Sequence, residues 1–385
     1  MAHWKDFFKR SAAHAEARWD ELRGDLTRRL GLTDPVQLLP YRTYGTPRRL
    51  YVKGRVLEDK GIAAAGDKDT LVNNLLNMYK RFESDEVAGA RLRIHAPGAV
   101  HEVVTDAEGY FVFNLNPDEP VLHESLWHPL EIELLEAPIP FAAGLRAKAE
   151  VMIPPADAEY GIISDIDDTV VQTGATSLLS MSRSTFLNNA RTRLPFAGVS
   201  EFYKALQLGR NGKRNNPFFY VSSSPWNLYD LLRDFLDLNK LPAGPLLLRD
   251  FGLNLREDAE AEGGHHGHKL KEIAQILDTY PQLPFVLVGD SGQEDPAIYR
   301  EVVRRYPGRI LAIYIRDLAM PERRRIAVEI SESLRTDKVE LVLTENSVEA
   351  AEHAAQTGLI YREAVAAVEK DKQQDKGEAP GKEDL

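Results

Sequence analysis

The feature that most constrains the fold is a short apolar run that ends in carboxylates. Tyr160 to Ile163 are mostly apolar, and the four positions 165–168 then hold three carboxylates, Asp165, Asp167 and Asp168. The apolar residues predict a buried central strand, and the acidic residues fall where that strand ends. Because open α/β sheets bind ligands at the carboxyl ends of their strands, chemistry is expected at this point.

Crowded carboxylates repel one another, and a hard cation such as Mg2+ would neutralise them. The same pattern is compatible with an acidic turn, because Asp is a common turn former, and Asp168 could be a turn residue only. The stretch by itself favours a metal site without requiring one.

The composition narrows the class of protein. A chain of 385 residues predicts two domains, and 43% hydrophobic with 28% charged residues is ordinary for a soluble globular protein. A formal charge of -11 argues against a nucleic-acid binder and weakens long-range attraction to anionic lipid. The absence of cysteine rules out disulfides, thiolate metal sites and cysteine nucleophiles.

No apolar run is long enough to span a bilayer, and the N-terminus lacks the apolar core of a secretory signal. These observations predict a cytoplasmic protein without a transmembrane segment.

Changes in periodicity divide the chain into four regions. Residues 1–35 have the spacing of an amphipathic helix, which could lie on a membrane interface or, as its mixed charge favours, pack against protein. Residues 36–155 alternate with period two and predict a small antiparallel β-sandwich with an inserted helix near 71–82 and a turn at 105–109. That turn region is similar to transthyretin-like sandwich modules, but no partner for the sandwich is indicated.

Residues 156–368 alternate between strand and helix patterns, which predicts a parallel sheet, and the charged tail at 369–385 is predicted to be disordered. Further strands are expected at 218–221, 246–248, 285–290, 310–315 and 339–343. Helices are expected near 228–235, from 269, and at 299–306. The predicted fold class is therefore α/β, preceded by a small all-β domain.

Four short motifs follow one another in the α/β region. They are Asp165-Ile166-Asp167-Asp168-Thr169, the strand-terminal Ser222, the helix-initial Lys269, and Gly289-Asp290-Ser291-Gly292-Gln293-Glu294-Asp295. This ordered set resembles the motifs of haloacid-dehalogenase-type phosphatases, which have a Rossmann-like parallel sheet. The local sequences around Ser222, Trp226, His268 and Gly289 resemble those of the catalytic domain of the actin-patch-associated phosphatidate phosphatase family. The resemblance covers about residues 156–330.

The resemblance implies a Mg2+-dependent phosphatidate phosphatase that yields diacylglycerol and phosphate. Asp165 would be the nucleophile that forms an aspartyl-phosphate, and Asp167 would act as general acid and then as general base. Mg2+ would be held by Asp165, by the backbone carbonyl of Asp167 and by Asp290, with Asp295 in support.

The phosphoryl group would be bound by Ser222, Lys269 and Thr169, and His268 is a further candidate for substrate contact. Taken singly, some of these residues have other interpretations. Lys269 could be a solvated helix residue, and Asp290 could be a helix N-cap.

Two other kinds of site are disfavoured. The histidines at 263–268 could suggest zinc, but a flexible glycine-rich loop is the favoured interpretation because no carboxylate frame surrounds them. The serines near Ser222 lack the nucleophile-elbow pattern of serine hydrolases.

Segment lengths leave little room for a cap domain beyond a short helical insert at 185–193. An open site would suit a phosphate presented by a membrane surface, with the protein peripheral at most. Two alternatives stay open: a phosphatase acting on a phosphoprotein or a nucleotide end, and a non-catalytic binding module. The net negative charge of the protein disfavours a nucleic-acid substrate.

Overall fold

The computed structural model of the protein describes residues 36–58, 86–121, 125–166, 197–249 and 264–377. The helices predicted over 1–35, near 71–82 and at 185–193 lie outside the described residues, and so do Asp167, Asp168 and Thr169. Within the described ranges, no helix is long and apolar enough to cross a membrane.

The N-terminal part, called the β unit, comprises the described residues from 36 to 152. Its strands are β1 (Val36–Pro40), β2 (Thr43–Thr46), β3 (Arg49–Glu58), β4 (Arg91–Ala96), β5 (Ala99–Val104), β6 (Tyr110–Leu115), β7 (Trp127–Glu136) and β8 (Arg146–Met152). They form an eight-stranded sheet in the order β1-β3-β2-β8-β7-β4-β5, with β6 paired to β3. The pairs are antiparallel except β2 and β8, which run parallel.

Period-two alternation explains the core of the β unit. Leu92, Ile94 and Ile132 are completely buried on one face, as the alternating pattern predicts. The turn predicted between two strands is also confirmed, because the Asp106 carboxylate accepts hydrogen bonds from the backbone N–H groups of Glu108 and Tyr110.

The C-terminal part, called the α/β unit, comprises the described residues from 161 to 377. Its strands are β9 (Gly161–Asp165), β10 (Phe218–Pro225), β11 (Leu246–Arg249), β12 (Phe285–Asp290), β13 (Ile310–Arg316) and β14 (Glu340–Thr344). Its helices are α1 (Val199–Leu208), α2 (Tyr229–Leu238), α3 (Gly264–Thr279), α4 (Asp295–Arg305), α5 (Pro321–Leu334), α6 (Ser347–Gln356) and α7 (Ala364–Gly377).

The six strands of this unit are all parallel and lie in the order β11-β10-β9-β12-β13-β14. The predicted central position of β9 is confirmed, since β10 and β12 flank it. Ile162 packs with residues of α1 and α2, whereas Ile163 packs with residues of α3, α4 and α5. Burial on both faces is the physical reason that this strand is continuously apolar.

Helix α3 begins earlier than predicted. It starts at Gly264 and not at Lys269, so the interpretation of residues 264–268 as a glycine-rich loop is wrong. Glycine lowers helix propensity by about 1 kcal/mol, but the buried face formed by Ile273, Ile276 and Leu277 anchors the helix.

The chain also stays ordered further than its composition predicts. Helix α7 continues to Gly377, so the prediction of disorder from Glu369 is wrong up to that residue. Val368 is fully buried, and the Asp371 carboxylate accepts a hydrogen bond of 3.2 Å from the backbone N–H of Glu201 in α1. Docking against α1 supplies the contacts that composition does not reveal.

Candidate active site

The carboxyl ends of three neighbouring strands gather most of the predicted site residues. In the sheet register Asp165 of β9 lies opposite Val221 of β10, so Ser222 is the next residue along. On the other side Ser164 lies opposite Val288 of β12, two residues before Asp290. Parallel pairing therefore brings residues distant in sequence to one edge of the sheet.

Three carboxylates converge at this edge. Asp165, Asp290 and Asp295 each offer an oxygen atom, and these atoms all lie within 4.8 Å of one another. Asp295 is the first residue of α4 and is fully buried, and the side chain of Asp165 is only 4% exposed. Such a set of hard oxygen donors fits a divalent cation such as Mg2+.

Lys269 enters the cluster from α3. Its Nζ lies 2.8 Å from Asp165 Oδ1 and 3.0 Å from Asp295 Oδ1, and it donates a 3.2 Å hydrogen bond to Gln293 Oε1. The lysine side chain is 3% exposed, so these contacts are largely shielded from solvent. Lys269 therefore supplies positive charge to Asp165 and Asp295, and a divalent cation would supply more to the same cluster.

The loop after β12 is a closed turn built around Asp290. Its Oδ1 accepts hydrogen bonds from the backbone N–H groups of Gly292 at 2.7 Å and Gln293 at 3.3 Å. Its own N–H donates to Asp295 Oδ2 at 3.1 Å. Since α4 begins at Asp295 with Glu294 as its N-cap, the alternative interpretation of Asp290 as an N-cap is wrong.

Ser222 and His268 lie against each other on the β10 side. Ser222 is completely buried, and its Oγ accepts a 3.0 Å hydrogen bond from the backbone N–H of Ser224. His268 Nε2 lies 3.2 Å from the Ser222 carbonyl oxygen. Because a carbonyl oxygen only accepts, this contact requires the histidine to carry a proton on Nε2.

Two buried tyrosines support the strand ends. Tyr203 and Ser164 share a 2.8 Å hydrogen bond, and the Tyr299 hydroxyl donates to the Val288 carbonyl at 2.8 Å. Burial raises the pKa of Tyr299 well above its ordinary value, and the carboxylates of Asp295 and Asp165 raise it further. Tyr299 therefore stays neutral and keeps its hydroxyl proton for Val288.

Sequence reasoning missed two residues of this region. Gln293 lies within the Gly289–Asp295 motif, which predicts no role for it, and it contacts Lys269. Arg249 ends β11 opposite Pro225 and is only 4% exposed, so it is a buried cation near the same edge. Asp165 is indicated by its position as a polar residue at the carboxyl end of an apolar strand, and Arg249 has the same kind of position in β11.

We expect Gly289→Ala to impair the site without unfolding the protein. A Cβ at Gly289 would lie 2.4 Å from Asp295 Oδ2 and 2.9 Å from its Cγ, so the carboxylate that holds Lys269 must move. A displacement of about 1 Å can lower turnover by about 10²-fold. The check is kcat for phosphate release alongside the thermal unfolding midpoint.

Gly308→Ala is the matched control for that variant. Gly308 has a φ of +76° and nothing within 4 Å of an added Cβ, so alanine costs about 1 kcal/mol of stability through backbone strain alone. Its turnover should match the wild type. Equal kcat in Gly289→Ala and Gly308→Ala would contradict the importance of the Asp295 contact.

Fold and site together define an α/β protein with a carboxylate–lysine centre at the carboxyl edge of a parallel sheet. Residues 160–317 match the family model described as phosphatidate phosphatase APP1, catalytic domain. The family resemblance inferred from the four motifs is confirmed for this stretch.

Two curated relatives match a similar length of chain. Phosphatidate phosphatase APP1 of Saccharomyces cerevisiae is 37% identical over 157 residues, which cover 40% of this chain and 25% of that protein. An uncharacterised protein of Schizosaccharomyces pombe is 31% identical over 159 residues, or 41% of this chain and 25% of the relative. The match thus spans about a quarter of each relative's length.

Among solved structures, a carbohydrate acetylesterase from Xanthomonas citri aligns with 76% of this chain and 72% of its own at 11% identity. Its TM-score of 0.23 is too low to carry an argument about this protein.

Proposed function

We propose that this protein is a Mg2+-dependent phosphatase that hydrolyses phosphatidate to diacylglycerol and phosphate at a membrane surface. The observation that carries the proposal is the contact of Lys269 with Asp165 and Asp295 inside the carboxylate cluster. Similarity of residues 160–317 to a phosphatidate phosphatase catalytic domain supports the choice of substrate.

Asp165 and Asp290 would hold Mg2+ together with the backbone carbonyl of Asp167. When bound, the ion neutralises the negative charge of the phosphoryl oxygens, so that an anionic carboxylate can approach phosphorus. The clustering of Asp165, Asp290 and Asp295 oxygens supports this assignment. Asp295, which is bonded to Lys269 and to the Asp290 backbone, would orient the other groups.

In the first step an Asp165 carboxylate oxygen bonds to phosphorus while the bond from phosphorus to the leaving-group oxygen breaks. Asp167 gives its proton to the leaving alkoxide, which departs as the diacylglycerol hydroxyl. In the second step Asp167 takes a proton from water, whose oxygen displaces Asp165 from phosphorus. Phosphate leaves and both carboxyl groups regain their starting states.

Lys269, Ser222 and Thr169 would stabilise the phosphoryl oxygens during both steps, and His268 would support Ser222. Lys269 already carries the right charge beside the nucleophile, and removal of such a donor typically costs about 3 kcal/mol of transition-state stabilisation. The 3.2 Å contact between His268 and the Ser222 carbonyl supports the role of the histidine.

We also infer the fold type of each unit. The α/β unit, within a domain spanning 156–368, would be a Rossmann-like sheet of the haloacid dehalogenase type, and residues 36–155 would form a β-sandwich domain. The parallel order with β9 central supports the first assignment, and the mostly antiparallel eight strands support the second.

A substrate panel tests the function. We expect phosphate release from phosphatidate vesicles to exceed release from a phosphopeptide, from a 5′-phosphorylated oligonucleotide and from a soluble aryl phosphate. Chelation by EDTA should abolish release, and added Mg2+ should restore it. Mg2+ should also raise the thermal unfolding midpoint of the wild type, because a ligand that binds only the folded state stabilises it.

Asp290→Asn is the control for metal binding, and its midpoint should respond little to Mg2+. Faster release of phosphate from the phosphopeptide or the oligonucleotide than from phosphatidate vesicles would identify that molecule, and not the lipid, as the substrate. Absence of release from every substrate would favour a non-catalytic binding module.

A further inference from the structure

Side chains of the β unit pack directly on the segment that follows Ser222. After β10 ends at Pro225, residues 226–228 form a 3-10 turn that leads into α2. Tyr41 of the β unit stacks on Trp226 with ring centroids 5.3 Å apart and planes 9° apart. Tyr41 also stacks on Tyr229 at 3.9 Å, so its ring contacts both sides of this turn.

A buried lysine of the β unit contacts the same turn. Lys53 lies on β3, and its Nζ is 3.9 Å from the centroid of the Trp226 ring and 5.1 Å from that of Tyr110. The residue is only 6% exposed, so the cation–π contact is largely shielded from water. Tyr41, Lys53, Trp226 and Tyr229 are called the junction cluster.

Polar contacts hold α2 at the same place. The backbone N–H of Arg42 donates a 2.6 Å hydrogen bond to the Tyr229 hydroxyl at the start of the helix. The Arg42 guanidinium makes a bidentate pair with Asp237, near the C-terminal end of α2, at 2.8 and 3.0 Å. The β unit therefore contacts both ends of the helix that follows Ser222.

Ser222 lies at an irregularity in the pairing of β10. Regular pairing of β10 with β9 ends at Val221, and pairing with β11 shifts register between Val221 and Pro225. Ser222, Ser223 and Ser224 thus lie outside the regular ladder, and Trp226 follows shortly after them. Trp226, which the other residues of the junction cluster hold in place, is well placed to fix the position of the C-terminal end of the Ser222–Ser224 segment.

We propose that Trp226 is a positioning residue and that the β unit, acting through the junction cluster, holds Ser222 where it binds the phosphoryl group. This inference rests on the proposed function, in which Ser222 donates a hydrogen bond to phosphate. It gives the β unit a part in the active site beyond any recruitment of partners.

Lys53→Met in the full-length protein tests the inference, because it removes the charge over Trp226 and keeps the length of the side chain. We expect kcat/KM to fall about tenfold and the inhibition constant of inorganic phosphate to rise about tenfold, as for loss of one hydrogen bond to a charged group. Lys53→Arg should restore most of both, because it keeps a cation over the ring.

Tyr280→Phe is the matched control. It removes the 2.9 Å hydrogen bond from the Tyr280 hydroxyl to the Gly45 carbonyl, another contact between the two units that does not involve the junction cluster. Its unfolding midpoint should fall, but phosphate inhibition should match the wild type.

A double-mutant cycle separates positioning from general destabilisation. In a Ser222→Ala background, Lys53→Met should raise the phosphate inhibition constant no further. Full additivity, or an unchanged inhibition constant in Lys53→Met, would overturn the inference while leaving the enzyme active. If Lys53→Met folds poorly, Tyr41→Leu replaces it, since loss of the stacked ring should have the same effect. Failure of the proposed function is distinguishable, because the wild type itself would then release little or no phosphate from phosphatidate vesicles, whereas failure of the inference alone leaves that release intact.

Discussion

We expect Asp165→Asn to lower kcat for phosphate release by about 10⁴-fold or more, as for removal of a covalent nucleophile. The amide nitrogen and oxygen of asparagine are too weakly nucleophilic to form the phosphoenzyme. Acid quenching of the wild type during turnover of ³²P-labelled substrate should trap label on the protein, and Asp165→Asn should trap none. Together these measurements separate loss of covalent chemistry from loss of binding.

Asp157→Asn is the matched control, because it makes the same substitution at an aspartate outside the carboxylate cluster. Asp157 lies shortly before β9 on the surface, where contact with Lys213 lowers the pKa of its carboxyl group. Surface ion pairs contribute little to stability, so this variant should keep wild-type turnover and labelling. Undiminished turnover by Asp165→Asn would refute the assignment of the nucleophile.

We expect Lys269→Met to lower kcat by about 10²-fold to 10³-fold, because the developing charge on the phosphoryl group loses its cationic donor. The variant should also lose stability. The lysine side chain is 3% exposed between Asp165 and Asp295, and removing the cation leaves these carboxylates with less compensation for their burial. Breaking a buried ion pair in this way typically costs about 3–5 kcal/mol. Steady-state kinetics and urea unfolding measure the two effects.

The chain offers a control two residues along the same helix. Lys271 is exposed, so Lys271→Met should change neither kcat nor the urea midpoint appreciably. Because Mg2+ would supply positive charge to the same carboxylates, it should recover part of the stability of Lys269→Met and little of its activity. Normal turnover by Lys269→Met would contradict its catalytic role.

Much of the site could be predicted from local pattern. An apolar run that ends in carboxylates predicts a buried strand with chemistry at its carboxyl end, and β9 has that position between β10 and β12. The order of the four motifs was sufficient to indicate the family, and the structure brings Asp165, Lys269 and Asp290 to one edge. Local patterns succeed here because strand pairing follows from apolar periodicity and the direction of parallel strands.

Other features depend on contacts between distant segments. The glycines and histidines at 264–268 favour a loop, and the charged residues after Glu369 favour disorder, yet both stretches are helical where they are described. Helix propensity is a weak preference, and packing of Ile273 or Val368 against the rest of the fold overrides it.

The sequence by itself determined the parallel α/β pattern, the acidic strand end and the family resemblance of residues 160–317. Only the tertiary structure decided that Asp295 contacts Lys269, and that Tyr41 and Lys53 of the β unit lie on Trp226. The physical reason is that periodicity reports which face of an element is buried, whereas the partner that covers it is chosen by shape and charge across the whole molecule.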